Sequence, residues 1–458
     1  MRVLHTTTTR LRQLQRTQGS MLARQLHWRS AVFGVLLALV SGLQPVVFAD
    51  EADGRSEQDI EAPAVTDQAA ENARRSVDAV EYADPLDRLV DTAIEINFQR
   101  NLDVAVHSPW QVLHGLLALR GDFEVVQNGR RINGLEWLAS NPTYRGEPLF
   151  EKTQYGGRAH PFSEPYIFQG HQNQFLAILT MSRLPSDFQL LTNDGPMTIG
   201  DVVRNSQIEF DYRHEVTWSL WALSHYLPWD AQWTNEAGQP CSIEQMIEIE
   251  LRNDPTMAAC GGTHGLYALA YARNAYLHAG QQLRGVWLEA DQKVRRYSAV
   301  AQSLQNRDGS FSTQHFRGPG YSNEFAKRIE TSGHILEFLM MALPASELKK
   351  EWVRRGVESL ANDLIRNRNV TARCGALYHS VHALILYRER TSDDDLPIAA
   401  GNLLPEPVPT GAMATPQMEL QADRENARKL QEEQTADSRN DDKSQKGLFR
   451  RRSRRASR

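Results

Sequence analysis

The sequence predicts an all-α protein in which six helical hairpins, between residues 83 and 390, form an (α/α)6 toroid or barrel. Three observations predict this fold class. Six apolar segments each begin at a histidine, six more polar amphipathic segments alternate with them, and β-type alternation of comparable length is absent from the sequence. With 458 residues, of which 41% are hydrophobic, the chain is long enough to bury a sizeable core.

The apolar segments are predicted to be the inner helices. They start at His114, His171, His214, His264, His334 and His379. Apolar and small residues cover nearly all faces of each segment, as expected of helices that are buried on every side. Three of the segments end in Leu-Pro, at Leu184-Pro185, Leu227-Pro228 and Leu343-Pro344. Proline at such a position is a common helix stop.

The polar segments are predicted to be the outer helices. They cover residues 86–101, 132–140, 199–210, 242–253, 284–305 and 346–369. Hairpins that hide one helix and expose the other either stack into an open solenoid or close into a ring. An open solenoid would leave its end hairpins to be capped, whereas six pairs can close on themselves. We therefore predict the closed form.

Both ends of the chain differ from its centre. Residues 1–49 combine six arginines and no acidic residue in the first 30 positions with an apolar run that ends in Val47-Phe48-Ala49. This is the pattern of a secretory signal peptide. An uncleaved signal anchor is the other interpretation, because the apolar run nearly reaches membrane-spanning length. Both interpretations predict an exported protein that is periplasmic, secreted or held at the membrane.

Two further segments are predicted to be disordered. Residues 50–82 are acidic, rich in alanine and poor in aromatic residues, which is typical of a linker. Residues 391–458 begin Pro-rich and end in KSQKGLFRRRSRRASR, which has eight positive charges and no negative charge. Such a basic tail suits an anionic polymer or the lipid head groups of a cell envelope, and a solubilising tail without a partner is the alternative. The sequence does not predict specific nucleic-acid recognition.

The stretch QNRDGSF, residues 305–311, lies between a polar and an apolar helix. Asp308-Gly309 is a strong turn pair, and Phe311 resumes the apolar packing. The stretch resembles the repeat signature of the terpenoid cyclase and protein prenyltransferase superfamily of (α/α)6 toroids, the squalene-cyclase-like repeat. The resemblance covers about residues 85–390 as a pattern and implies the toroid fold. It also implies that the Gln and the aromatic residue stack between neighbouring repeats.

The sequence departs from this superfamily in its catalytic motifs. Toroid prenyltransferases use an Asp-x-Cys pair with a distant His to hold zinc, and no Asp-x-Cys is present here. Triterpene cyclases use an Asp-rich motif on an inner helix, but the run SDDDL, residues 392–396, lies beyond the last predicted helix. A cyclase mechanism is therefore disfavoured.

The histidines that begin the apolar segments are the main candidates for a functional site. The inner helices of such a toroid run parallel, so the histidines are expected to meet at one mouth beside the helix N-termini. Those N-termini favour anions and keep imidazoles neutral. The alternative is that each histidine is a local cap or packing residue. The catalytic candidates are His171, His214, His264, His334, His379, Glu337, Tyr155 and Arg158.

The non-histidine candidates come from their neighbourhood in the sequence. Glu337 lies three residues after His334, on the same helix face, and a carboxylate beside an imidazole is the minimum for acid–base chemistry. Tyr155 and Arg158 lie in the long connection 141–169. Long connections such as this one and 306–331 are commonly lids or binding loops.

Two cysteines precede two of these histidines. Cys260 lies just before His264 in CGGTH, and Cys374 lies before His379 in CGALYH. Thiol and imidazole groups are zinc ligands, so these four residues are a candidate zinc set. The other interpretation is that both cysteines are small buried residues where helices pack closely. Three cysteines in a domain of this size do not form a disulfide framework.

The sequence supports several functions without deciding between them. The first is an exported enzyme that acts at the histidine-lined mouth on an anionic or glycan substrate, an inference by analogy with other exported barrels. The second is a non-catalytic binding or structural module of the cell envelope. The third is an isoprenoid-handling protein like the superfamily that the repeat resembles.

Overall fold

A computed structural model of the chain describes residues 60–160 and 167–391. The predicted signal segment 1–49, the first part of the predicted linker and the tail from residue 392 onward lie outside the described residues. The described part is mostly helical, so the prediction of the helical class is confirmed. None of its helices is long and apolar enough to cross a membrane.

The described residues contain helices joined by short hairpins. The α-helices are α1 (Asp67–Asp78), α2 (Pro85–Asn97), α3 (Pro109–Leu119), α4 (Gly134–Ala139), α5 (Gln174–Leu179), α6 (Ile199–Ile208), α7 (Thr217–Tyr226), α8 (Ile243–Arg252), α9 (Thr263–His278), α10 (Gly285–Ser303), α11 (Phe325–Ala342), α12 (Ala345–Leu348), α13 (Glu351–Arg366) and α14 (Cys374–Thr391). The strands are β1 (Leu102–Asp103), β2 (Glu124–Gln127), β3 (Arg130–Asn133), β4 (Thr143–Tyr144), β5 (Glu147–Pro148), β6 (Phe150–Thr153), β7 (Gly156–Ala159), β8 (Gln189–Leu190), β9 (Met197–Thr198), β10 (Gln232–Thr234) and β11 (Pro240–Ser242).

Local sequence explains where the helices begin and end. Ser108 and Gln111 form a reciprocal capping box at the start of α3, with Pro109 in its first turn. The C-terminal end of α7 lies at Leu227-Pro228 and that of α11 at Leu343-Pro344, as the Leu-Pro pairs predict. The third pair, Leu184-Pro185, lies beyond α5 and the 3-10 turn Thr180–Ser182 that follows it.

Six helices are buried on nearly all faces, namely α3, α5, α7, α9, α11 and α14. They are the apolar segments of the sequence. Each packs against the next one along the chain, and the last of them, α14, packs against the first, α3. The hydrophobic core of the protein lies mainly among these helices.

Side-chain contacts show that the buried helices run in the same direction. His114 of α3 lies beside His379 of α14, and at the other end of the pair Arg120 forms an ion pair with Glu389. The same holds for α9 and α11. There His264 lies beside His334, and Arg273, near the other end of α9, donates to the Ala342 carbonyl at the end of α11.

The helices that precede the buried ones are amphipathic. They are α2, α4, α6, α8, α10 and α13, and they lie within or close to the predicted polar segments. In α10 the buried positions Trp287, Ala290, Val294, Tyr297 and Ala301 recur every three or four residues, which gives one buried stripe. The opposite face of α10 is left to solvent, whereas α6 lies deeper and has no exposed residue.

Most of the strands form small hairpins in the connections, and none of those described exceeds four residues. The exception is β1, which pairs parallel with β2 in a three-stranded sheet. The tight turn of the β2–β3 hairpin is Asn128-Gly129, where both residues have positive φ. The β6–β7 hairpin packs against α6. The connection 141–160, predicted as a lid, is therefore largely β-hairpin.

The linker prediction for residues 50–82 is wrong where the structure describes that segment. Residues 67–78 form α1, which buries Ala70, Ala73 and Val77 and packs against α2. Ala62 pairs with Ala372 through backbone hydrogen bonds. The composition is low in hydrophobic residues, but its few apolar side chains fall on one helical face, and that was enough for packing.

The stretch QNRDGSF follows α10 in the chain and packs against the outer helix α13. The Gln305 side-chain amide donates to the Gly309 and Trp352 carbonyls at 2.9 and 2.8 Å. Gly309 has φ 89°, and a Cβ there would lie 2.3 Å from the Arg355 carbonyl oxygen, so only glycine fits. Phe311 is buried and contacts Trp352 edge-on.

Candidate functional site

Four of the predicted histidines meet in the interior of the helical bundle. The ring centroids of His264, His334 and His379 form a triangle with sides of 5.1, 5.1 and 4.2 Å. His114 lies next to this group, 5.4 Å from His379. We call these four residues the imidazole cluster.

The imidazole cluster lies within the helices and not at their N-termini, contrary to the predicted mouth. His334 is in the middle of α11, and His114 and His379 lie beyond the first turns of α3 and α14. Of the four, only His264 belongs to a first helical turn. The positive ends of the helix dipoles therefore act on His264 more than on the other members.

Hydrogen bonds hold three of the rings in one tautomer. His114 Nδ1 is 2.7 Å from the Trp110 carbonyl oxygen, and His334 Nδ1 is 2.6 Å from the Glu330 carbonyl oxygen. Because a carbonyl oxygen can only accept, Nδ1 carries the proton in both rings. His379 Nδ1 likewise donates to the carboxylate of Glu337 at 2.7 Å. In the neutral form of such a ring, Nε2 is the nitrogen with a lone pair.

Glu337 is a buried carboxylate between two imidazoles. Its Oε2 accepts from His379 and its Oε1 accepts from His382 Nδ1, at 2.7 and 2.6 Å. The sequence predicted Glu337 as a partner of His334 on its own helix, but its partners are on α14. His382, one turn after His379, was not among the catalytic candidates. Burial lowers the pKa of His382, with Glu337 opposing the shift, so this ring is neutral.

His264 supplies an imidazole nitrogen without a partner. Its Nε2 is buried and has no hydrogen bond within the described part of the chain. Burial, followed by the neighbouring histidines, lowers the pKa of His264 well below its ordinary value. A neutral, buried and unbonded nitrogen is a lone pair available to a ligand.

The turn before α9 brings a thiol to the same place. Cys260, Gly261 and Gly262 all have positive φ, at 50°, 61° and 72°, which is rare for a non-glycine residue such as Cys260. The ligand atoms of Cys260, His264 and His334 lie within 4.8 Å of one another. The ligand atoms of His264, Glu337 and His379 form a second group of the same size.

A histidine of the 306–324 connection also reaches this turn. A Cβ on Gly261 would lie 2.2 Å from the ring of His315, so glycine is needed for the close approach. Burial, and secondly His334, lower the pKa of His315 to about 3. The sequence predicts the connection 306–331 to be a lid or binding loop, and its His315 lies beside the candidate site.

The four-residue zinc set predicted from the sequence is not brought together. Cys374 belongs to neither group of candidate ligands, and its sulfur lies 3.8 Å from the Ile60 carbonyl oxygen. The third member of the group that contains Cys260 and His264 is His334 instead. A cysteine and a histidine five residues apart on one helix, as Cys374 and His379 are, point to different sides of that helix.

His171 extends the imidazole cluster through an aromatic neighbour. Its Nδ1 pairs with Glu215 Oε2 at 2.6 Å, and its ring stacks on Trp218 at 5.3 Å. Trp218 in turn lies 4.8 Å from His264. His214 is exposed and precedes α7, so its predicted place in the ring is wrong, and Trp218, one turn further on, takes that place.

Tyr155 and Arg158 belong to the β6–β7 hairpin, which packs on α6. Arg158 forms ion pairs with Glu151 and Glu209, at 2.7 and 2.9 Å. The backbone oxygen of Tyr155 accepts from Arg204 at 2.6 Å. These contacts fasten the hairpin to α6 and to Glu209, which follows it.

A buried carboxylate on α8 gives a test of pH dependence. Glu250 accepts from Thr217 at 2.9 Å and lies against Gly265, and burial raises its pKa from 4.5 to about 7. Between these two values the folded state keeps a proton that the unfolded state has lost, so stability falls as the pH rises. Between these pH values the free energy of unfolding of the wild type therefore falls. We expect Glu250→Gln to make this fall smaller by on the order of 1–2 kcal/mol.

Urea unfolding of the wild type and of Glu250→Gln at several pH values between these limits measures this effect. Glu248→Gln, on the exposed side of the same helix, is the matched control and should keep the wild-type pH dependence. An unchanged slope in Glu250→Gln would show that Glu250 does not hold the proton.

Comparison with models of protein families, with curated proteins and with solved structures finds no match to this chain. The resemblance to the terpenoid cyclase and prenyltransferase superfamily therefore stays a prediction from the repeat pattern.

Proposed function

We propose that this protein is a metal-dependent enzyme that binds a zinc-class ion in the imidazole cluster. His264, His334 and His379 would hold the ion, and Cys260 would be a fourth, exchangeable ligand. The observation that carries this proposal is the triangle of imidazole rings inside the helical bundle. A zinc ion supplies Lewis-acid chemistry when it is bound in such a set.

The size of the triangle suits a tetrahedral ion. With Zn–N bonds of about 2.0–2.1 Å, the centres of two coordinating imidazoles lie about 5 Å apart. Two of the observed separations, both from His264, are 5.1 Å and match this value, while the His334 and His379 rings are closer, at 4.2 Å.

The protonation states support the same proposal. The bonds from Nδ1 of His334 and His379 leave Nε2 as their lone-pair nitrogen, and Nε2 of His264 has no partner. Glu337 acts as a positioning residue, because a carboxylate that accepts from Nδ1 orients the ring and makes its other nitrogen a stronger ligand. Both carboxylate oxygens are already engaged, so Glu337 itself is not a ligand in this proposal.

Cys260 differs from the histidines in how it is held. It lies on a left-handed turn outside α9 and is half-buried, whereas His334 and His379 are buried within helices. A ligand on such a turn can leave the ion with a smaller rearrangement than a ligand on a packed helix. This is why we assign Cys260 the exchangeable position, which a substrate or water would occupy during reaction.

Metal analysis and cobalt substitution of the full chain test the proposal. We expect about one zinc-class ion per chain, and a thiolate-to-cobalt charge-transfer band in the cobalt form. In Cys260→Ser the band should disappear while the metal content stays at about one. Cys241→Ser, which changes a buried cysteine elsewhere, is the control. A wild-type chain that binds no ion after reconstitution overturns the proposal, and loss of the ion in Cys260→Ser overturns the exchangeable role.

For the architecture, we propose the closed (α/α)6 toroid of the terpenoid cyclase and prenyltransferase type. The support is the cycle of contacts from α3 through α5, α7, α9 and α11 to α14 and back to α3. The parallel direction of these helices and the alternation with outer helices also support it. A solved structure in which α3 and α14 are separated would contradict the closed form.

A second candidate function is metal-free acid–base catalysis on an anionic or glycan substrate. The observation that favours it is the pair of His171 and Glu215, which are 2.6 Å apart and both partly exposed beside Trp218. A carboxylate, an imidazole and an aromatic ring are the groups that such chemistry uses. The metal analysis separates the two candidates, because a metal-free wild-type chain favours this one.

A further inference from the structure

The far end of the buried helices, opposite the imidazole cluster, carries a group of polar side chains that the proposed metal chemistry does not use. Arg120 caps α3, Arg183 follows the 3-10 turn Thr180–Ser182, and Tyr226 ends α7. The 3-10 turn Arg120–Asp122 contacts the turn Thr180–Ser182. The two turns therefore lie together, and Arg183 is close enough to act electrostatically on Arg120 and on His225, the residue before Tyr226.

Several hydrogen-bond donors at this end have no acceptor. Arg120 uses both terminal nitrogens on Glu389, but its Nε is buried and unbonded within the described residues. The hydroxyl groups of Tyr226 and Ser182 are also buried and unbonded there. Buried donors without acceptors are rare in folded proteins, because each one loses its hydrogen bonds to water.

Arg183 adds a positive charge whose nearby carboxylate, Glu389, is already paired with Arg120. It is exposed, it adopts a left-handed backbone with φ 50°, and its guanidinium has no hydrogen bond or ion pair within the described part of the chain. Burial, and secondly the charge of Arg183, lower the pKa of His225 to about 3. His225 is thus neutral and accepts from or donates to the Tyr271 hydroxyl at 2.5 Å.

Two other arginines at this end show what a purely structural role looks like. Arg273 donates to the Ala342 carbonyl and pairs with Asp291, both at 2.9 Å. Arg390 donates to the Met340 carbonyl. Both cap the last carbonyl groups of α11, as basic side chains do at helix C-termini. Arg183 caps no carbonyl and pairs with no carboxylate within the described residues.

We propose that Arg183, Arg120, Tyr226 and Ser182 form a binding site for a small oxyanion of the phosphate or sulfate class. Guanidinium and hydroxyl groups are the donors that such an anion accepts, and the anion would supply the missing acceptors and counter-charge. The Glu389 carboxylate is neutralised by Arg120, so it does not repel the anion. The site is distinct from the imidazole cluster and does not depend on a metal.

Calorimetric titration of the full chain with inorganic phosphate and with sulfate tests this site. We expect saturable binding that weakens by about tenfold to a hundredfold in Arg183→Gln, as for loss of a hydrogen bond to a charged group. Tyr226→Phe, which removes one hydroxyl, should weaken binding to a smaller extent. Arg252→Gln is the matched control, because Arg252 is an exposed arginine at the end of α8, and this variant should bind as the wild type does.

Two further arms identify the source of the anion and separate this site from the metal centre. Binding of pyrophosphate would indicate a free phosphate as the ligand. Binding of vesicles that contain phosphatidic acid would indicate a lipid head group. His334→Ala should keep phosphate binding, and Arg183→Gln should keep its metal content. Equal binding by the wild type and Arg183→Gln, or no binding by the wild type at millimolar phosphate, overturns the proposal.

Discussion

The double variant His264→Ala/His334→Ala is expected to lose nearly all of its bound metal while keeping its helical fold. It removes two of the three imidazoles of the triangle, and the remaining His379 and Cys260 cannot hold an ion alone. Metal content per chain should fall from about one to less than about a tenth of that, since each lost ligand weakens binding strongly. Metal analysis after gel filtration measures the loss, and circular dichroism follows the fold.

Control variants separate ligand loss from general damage. His278→Ala changes an exposed histidine at the end of α9, the helix that carries His264, and should keep its metal. If the double variant does not fold, His334→Gln alone preserves most of the side-chain volume and should still lose the ion. Retention of the ion in a folded double variant would show that the imidazole cluster is a packing feature.

Glu337→Ala is expected to reduce the free energy of unfolding by about 3 kcal/mol or more. The change leaves the Nδ1–H groups of His379 and His382 without acceptors, in a place where both rings are buried. Each unsatisfied buried donor costs about 1–3 kcal/mol, and the emptied volume adds to the loss. Urea unfolding in the presence of a chelator measures this effect without a contribution from bound metal.

Glu330→Ala is the matched control for this effect. Glu330 lies on the same helix, but its side chain is partly exposed and pairs with Lys327 on the surface. Its loss should cost no more than about 1 kcal/mol. Glu337→Gln should fall between the two alanine variants, because an amide oxygen can still accept from one imidazole. Equal destabilisation by Glu337→Ala and Glu330→Ala would contradict the bridging role of Glu337.

Much of the helical layout could be predicted because it depends on local patterns. The apolar segments from His114 and His334, with their caps and Leu-Pro stops, carry the signal of a buried helix within a few residues of sequence. Alignment of the repeats also selected four of the histidines that meet. The helix α1 was missed because its composition is that of a linker, although Ala70, Ala73 and Val77 lie on one helical face.

The partners within the site could not be predicted in the same way. Glu337 was placed beside His334 from spacing along one helix, but its carboxylate points to α14, and that depends on how α11 is rotated in the bundle. The prediction that His214 lies in the ring fails for the same reason, since Trp218, which takes that place, is one helical turn further on. His315 comes from a connection with no periodic pattern at all.

Helix positions, the division into buried and outer helices, and the set of histidines worth testing thus follow from residue order alone, because hydrophobic spacing and capping act over a few residues. Which imidazoles face one another, which carboxylate orients them and which thiol lies beside them depends on helix packing between residues far apart in the chain. Distances of a few ångströms between such residues depend on the rotation and depth of every helix in the bundle, and no short stretch of sequence encodes them.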